Sequence, residues 1–236
     1  MLEIENLSAG YFGSKVLNGI SLTAGEGTTL VAGANGAGKS TLIKSINGSL
    51  RPISGSISLD GKKIDRMNPH SIALMGIATV PERGRIFGSM SVEDNLRVSF
   101  ESVRREKGSY EDSVENIYEI FSDLKEKRND KAGTLSGGQQ QMLSIGRAII
   151  TSPKLLLMDE PTTGLFPRTV RELVSKISEI SQGMSLLLTE QNLAETLFLT
   201  RKVYILESGK IVFSGTPDDI RGNKDLRNIY LGTGGN

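Results

Sequence analysis

Cysteine is absent from the 236 residues, which excludes disulfides and thiolate metal sites and fits a reducing compartment. Net charge is nearly absent too: 28 lysines and arginines stand against 27 aspartates and glutamates. That balance gives no field to draw nucleic acid or anionic lipid to the surface. No apolar run approaches the roughly 18–20 residues that cross a bilayer. The opening Met1-Leu-Glu-Ile-Glu is acidic and alternating, unlike a signal peptide. Histidine occurs once, as His70 beside Asn68-Pro69, where a solvated turn residue is expected rather than a ligand. By these absences the chain is expected to be soluble and intracellular, with no nucleic acid partner.

What is present begins with size, since a chain of this length buries roughly 70–75% of its unfolded surface. The organising stretch is Gly33-Ala34-Asn35-Gly36-Ala37-Gly38-Lys39-Ser40-Thr41, which fits G-x-x-x-x-G-K-[ST]. Strand-like residues 28–32 precede it, and Leu42, Ile43 and Ile46 follow at helical spacing. That is the setting of a phosphate-binding loop. Glycines 33, 36 and 38 permit positive φ and clear Cβ atoms from the path of a close oxygen ligand. The loop N–H groups, at a helix start, form an anion nest. Lys39 is expected on the β- and γ-phosphates of ATP, with the Ser40 hydroxyl on Mg²⁺.

Along the chain, residues 2–7 and 16–22 read as strands around Tyr11-Phe12-Gly13, and Asp60-Gly61 as a hairpin turn. Tyr11 is placed either to stack on a base or to sit half-buried in the core. Residues 69–74 suggest a short helix and 77–80 a buried strand. From residue 84 the texture changes. A flexible, exposed stretch around Gly84 and Gly88 leads to a capped helix at Ser91, then to one amphipathic helix over 111–128. Residues 84–150 thus read as a mostly helical insertion between two strands of an α/β core formed by 1–83 and 151–236. Buried strands follow at 155–158 and 186–188, a helix from Pro167, a short helix at 193–199, a hairpin over 203–213, a last helix from Pro217 and a frayed Gly-rich end. The predicted fold is a single α/β phosphate-loop (RecA-like) domain with a largely parallel sheet, ligands lying at its C-terminal edge.

Two further stretches carry chemistry. Asp159 and Glu160 end an apolar strand, where the first acid can complete a Mg²⁺ shell and the second can orient or deprotonate a water. Ser136-Gly137-Gly138-Gln139 opens a helix and makes a second anion site, one that suggests service to a neighbour's nucleotide.

In their order and spacing, residues 33–41, 135–141 (Leu-Ser-Gly-Gly-Gln-Gln-Gln) and 155–160 resemble the ATP-binding-cassette (ABC) ATPases over essentially the whole chain. The resemblance implies an N-terminal antiparallel β portion and a head-to-tail dimer, each ATP lying between one subunit's loop 33–41 and the other's residues 136–139. It makes Tyr11 the adenine-stacking aromatic. Glu82 stands where the family usually has a metal-directed Gln, and Gln191, within Glu190-Gln191-Asn192, where a switch histidine is usual. Phe166, before Pro167, stands where the distal loop usually offers Asp. With the terminal Tyr230-Leu231-Gly232, these departures resemble the F-type ATPase of branched-chain amino-acid importers. Such a subunit implies a G-type ATPase partner or a homodimer, two membrane permeases and, indirectly, an extracytoplasmic solute-binding protein. Its expected place is the cytoplasmic face of the membrane, with a permease helix docking near residues 82–87.

Overall fold

The computed structural model describes residues 1–82, 84–103 and 108–231, apart from the side chains of residues 229 and 230. Alternation of buried and exposed positions produces the first strands, β1 (Leu2–Tyr11) and β2 (Ser14–Ala24). Their turn holds Phe12 and Gly13 at φ 50° and 83°, the mirror-image geometry that suits strand twist. Next come β3 (Gly27–Ala32), α1 (Lys39–Ile46), β4 (Ser54–Leu59), β5 (Lys62–Lys63), α2 (Pro69–Met75) and β6 (Ile77–Val80). Four helices follow before the next strand: α3 (Val92–Ser102), α4 (Tyr110–Ile120), α5 (Ser122–Glu126) and α6 (Gly137–Ile149). The chain then runs through β7 (Leu155–Asp159), α7 (Pro167–Ile180), β8 (Ser185–Glu190), β9 (Thr200–Glu207), β10 (Lys210–Gly215), α8 (Pro217–Gly222) and α9 (Lys224–Tyr230).

Two sheets result. One is antiparallel in the order β2-β1-β4-β5. The other runs β10-β9-β3-β8-β7-β6, parallel from β9 to β6, with β10 antiparallel at its edge. The period of two along its strands divides the interior. Leu30, Leu156, Met158, Leu186, Leu188 and Ile205 face a core shared with α3 to α7. Val31, Leu155, Leu157, Leu187, Tyr204 and Leu206 face a second core shared with α1 and the antiparallel sheet. One sheet therefore serves two bodies of packing, and its strands are apolar on both faces as parallel strands must be.

Local expectations fail at four places. The single helix over 111–128 is broken at Phe121 (φ −120°, ψ 73°), whose ring is 2% exposed, so burial of this side chain outweighs helical continuity. The helix expected at 193–199 is only a 3-10 turn at Leu197–Leu199. The last helix is split by Asn223, whose Oδ1 accepts the N–H groups of Asp225 and Leu226 and caps α9. The exposed stretch near Gly88 is pinned, because buried Asn95 accepts the Phe87 N–H and donates to the Phe87 carbonyl. Residue 232 and the Gly-rich end expected to fray lie outside the described residues.

Leu187 is fully buried in the middle of β8. Leu187→Ala is expected to destabilise the fold by about 2–5 kcal/mol, read by urea unfolding.

Candidate nucleotide-binding site

The parallel strands β3, β8 and β7 lie side by side and deliver their C-terminal ends to one edge. From β3 the chain turns through residues 33–38 into α1, with Gly38 at φ 114° as the N-cap and no side chain capping the helix. Positive φ is used at Gly36 and Gly38 but not at Gly33. There the requirement is space: a Cβ would lie 2.3 Å from the Leu206 carbonyl oxygen on β9. At Gly33 the absence of a Cβ thus serves close packing of the loop against a neighbouring strand.

Lys39 is 3% exposed. Its ammonium donates to the carbonyls of Gly33 (2.5 Å) and Ala34 (2.8 Å) and pairs with Glu160 Oε1 at 3.1 Å. Ser40 is half-buried beside it, and its hydroxyl has no hydrogen-bond partner among the described residues. From β7, Asp159 accepts the Thr189 hydroxyl on Oδ1 (2.9 Å), which leaves Oδ2 without a partner among the described residues. Glu160 follows at φ 45°, a left-handed conformation rare for glutamate, and its N–H donates to the Thr189 carbonyl (3.0 Å). The Thr163 hydroxyl donates to Glu160 Oε2 (3.1 Å).

Between them, β8 ends in Glu190 and Gln191. Gln191 is exposed and lines a 440 Å³ cavity with Ala34, Asn35, Gly36 and Ala37 of the loop and Ser208 of the β9–β10 turn. Glu190 was unassigned by sequence reasoning, although an acid at the end of a buried strand is itself a signal. It is 2% exposed, and Oε1 accepts both the Thr162 hydroxyl (2.8 Å) and the Thr162 N–H (3.3 Å). Burial pushes its carboxyl up to about 7, the Thr162 bonds oppose this, and the Glu160 charge adds to it.

The other candidates come from elements other than the phosphate loop, and the cavity beside Glu82 reaches Thr163, the partner of Glu160. Tyr11 ends β1, with the Lys44 ammonium of α1 over its ring at 5.7 Å. Glu82 lines a different cavity of 330 Å³, with Gly84, Gly137, Gln141, Thr163 and Leu165. Ser136 caps α6: its hydroxyl accepts the Gln139 N–H, and Gln139 Oε1 accepts the Ser136 N–H. Ser136 and Gly137 are exposed, and the Gly137 and Gly138 N–H groups have no acceptor among the described residues. Gly138 is required for packing, since a Cβ would meet Thr169 Cγ2 at 2.3 Å, whereas around Gly137 there is open space. No hydrogen bond joins residues 136–139 to the phosphate loop among the described residues. No described helix is long and apolar enough to cross a membrane.

This geometry is a phosphate-binding loop with a strand-end acid pair, and residues 17–163 match the ABC transporter family. The chain belongs to that family. It is an ATP-binding-cassette ATPase of α/β fold, as the three motifs imply. It is 39% identical to the high-affinity branched-chain amino acid transport ATP-binding protein BraG of Pseudomonas aeruginosa, over 98% of this chain and 100% of BraG. It is 32% identical to the lipopolysaccharide export system ATP-binding protein LptB of Haemophilus influenzae, over 98% of this chain and 97% of LptB. The ADP conformation of MJ1267, an ATP-binding cassette of an ABC transporter, superposes with a TM-score of 0.83 at 28% identity, covering 98% of each chain.

Two outcomes follow from this ATPase's geometry. Gly33→Ala is expected to cost about 1–3 kcal/mol by forcing the loop off β9, whereas Gly137→Ala leaves thermal stability unchanged. Glu190 in the unfolded chain ionises near its ordinary 4.5, but in the fold only near 7. Below 4.5 both states hold the proton; as pH rises to about 7 the unfolded state loses it first, so stability falls. Glu190→Gln is expected to remove that loss, seen as a flatter dependence of unfolding free energy on pH.

Proposed function

We propose that this ATPase powers import of branched-chain amino acids, as one of two ATPase subunits beneath two membrane permeases at the cytoplasmic face. The observation that carries the solute class is the likeness to BraG over essentially its full length. The partner ATPase is a G-type cousin or a second copy, and an extracytoplasmic solute-binding protein acts upstream. Export of a lipid, the activity named for LptB, is the second reading.

In this reading two chains meet head to tail. Exposed Gly137, with nothing among the described residues that demands glycine, supports an α6 N-terminus that faces another subunit's triphosphate. The loop N–H groups that the fold leaves without an acceptor, not those of Gly33 and Ala37, bind the phosphates with Lys39, while Tyr11 stacks on the adenine and Gln191 bonds the γ-phosphate or the water. Glu160 polarises the attacking water while Lys39 and the partner's residues 136–139 neutralise charge on the γ-phosphoryl group. The unpartnered Ser40 hydroxyl and Asp159 Oδ2 are hard oxygen donors that fit Mg²⁺, and Glu82 is the third candidate ligand. When bound, the ion would neutralise charge on the phosphate oxygens. Residues 84–150 form the helical subdomain. A 390 Å³ groove lined by Asn47, Arg85, Ser99 and Arg147 accepts the permease helix expected near residues 82–87. Because Gln191 carries no charge and Phe166 no carboxylate, this chain hydrolyses ATP slowly without its partner ATPase.

Glu160→Gln is expected to keep ATP binding, slow hydrolysis by about 10²–10⁴-fold and accumulate ATP-bound dimers in light scattering. Gly137→Asp should leave stability intact, since an acid suits a helix start, yet abolish turnover by repelling the partner's phosphates. Purification of the chain from native membranes decides the solute class: branched-chain amino-acid permeases support the proposal, and lipid-export permeases replace it.

A further inference from the structure

The buried carboxylate of Glu190 has no part in the scheme above, although one residue here joins three pieces of the site. Its backbone carbonyl accepts the N–H of Gly33 (3.1 Å), where the phosphate loop begins. Its side chain accepts two bonds from Thr162, inside the turn that leaves Glu160. Its successor is Gln191. The turn it grips carries Thr163, which donates to Glu160 Oε2, and Glu160 itself sits at a φ of 45° that needs external support.

We infer that Glu190 is a positioning residue for ATP hydrolysis: its carboxylate holds the Thr162 turn, and so keeps Glu160 in the geometry that activates water. This rests on the reading of Glu160 as the group that polarises the water.

A neutral acceptor such as glutamine could take the same two bonds without the cost of burying a charge. The carboxylate is 2% exposed, and no cation pairs with it among the described residues. Around it, Glu160 is the like charge that raises its proton affinity. Lys39 neutralises Glu160 from the α1 side, and Asp159 on β7 is engaged by Thr189. Ionised, Glu190 makes both Thr162 bonds charge-assisted. As pH falls through about 7 the carboxyl takes up a proton and the grip on the Thr162 turn weakens. Hydrolysis therefore rises with pH through neutrality.

The test measures ATP turnover across neutral pH by the transport complex purified from its native membrane. It compares wild type with Glu190→Gln, Thr162→Val, Thr162→Ser and Glu160→Gln. Wild type is expected to show a single-proton limb near 7, and Glu190→Gln to flatten it. Above neutrality Glu190→Gln lowers kcat about tenfold with KM for ATP unchanged, the size expected when charge-assisted hydrogen bonds become neutral ones. Thr162→Val lowers kcat in the same way, and Thr162→Ser restores it. A Glu190→Gln complex with wild-type kcat and limb overturns the inference, as does a Thr162→Val complex that behaves as wild type. A Glu190→Gln chain that fails to fold, seen in a thermal melt, also overturns it, because the carboxylate is then structural. If Glu160→Gln keeps full turnover, the reading of Glu160 falls instead; if it is inactive while Glu190→Gln is unaffected, only the present inference falls.

Discussion

A buried ammonium is the constraint around which this site is arranged. Lys39 lies almost wholly out of water, and such a charge is tolerated only when its donors are engaged. Two loop carbonyls and one carboxylate engage them, so the loop curls back on its own lysine and the end of β7 is drawn across β8 to meet it. The curl brings the loop hard against β9, which is why residue 33 has no room for a Cβ. The pull across β8 requires β8 to end in groups that accept hydrogen bonds, and Thr189 and Glu190 supply them. Loop, acid pair and intervening strand are thus one electrostatic unit rather than three motifs.

Where chemistry dictates residue type, the candidate positions could be named from the chain alone: a lysine and hydroxyl behind spaced glycines, an acid pair ending an apolar strand, and a Ser-Gly-Gly helix start. The buried strands were legible for a related reason, since parallel strands covered on both faces leave continuous runs such as Leu155-Leu156-Leu157-Met158. What escaped depends on neighbours distant in sequence. The break at Phe121 follows from a ring that finds a core, and no local periodicity reveals it. The reason for Gly33 lies in a carbonyl 173 positions along the chain, on Leu206. Glu190 stood in plain view inside a triplet noted for Gln191, but its grip on Thr162 exists only because β8 lies beside β7.

The shared sheet has a mechanical consequence. Helices α3 to α6 possess no interior of their own; their apolar faces interlock with alternate residues of the same strands whose other side roots the phosphate loop. Close-packed side chains of this kind do not part like a door on a pivot. They slip past one another in small discrete steps, the shear class of motion. A push delivered to those helices therefore bears on the same strands that back the phosphate loop.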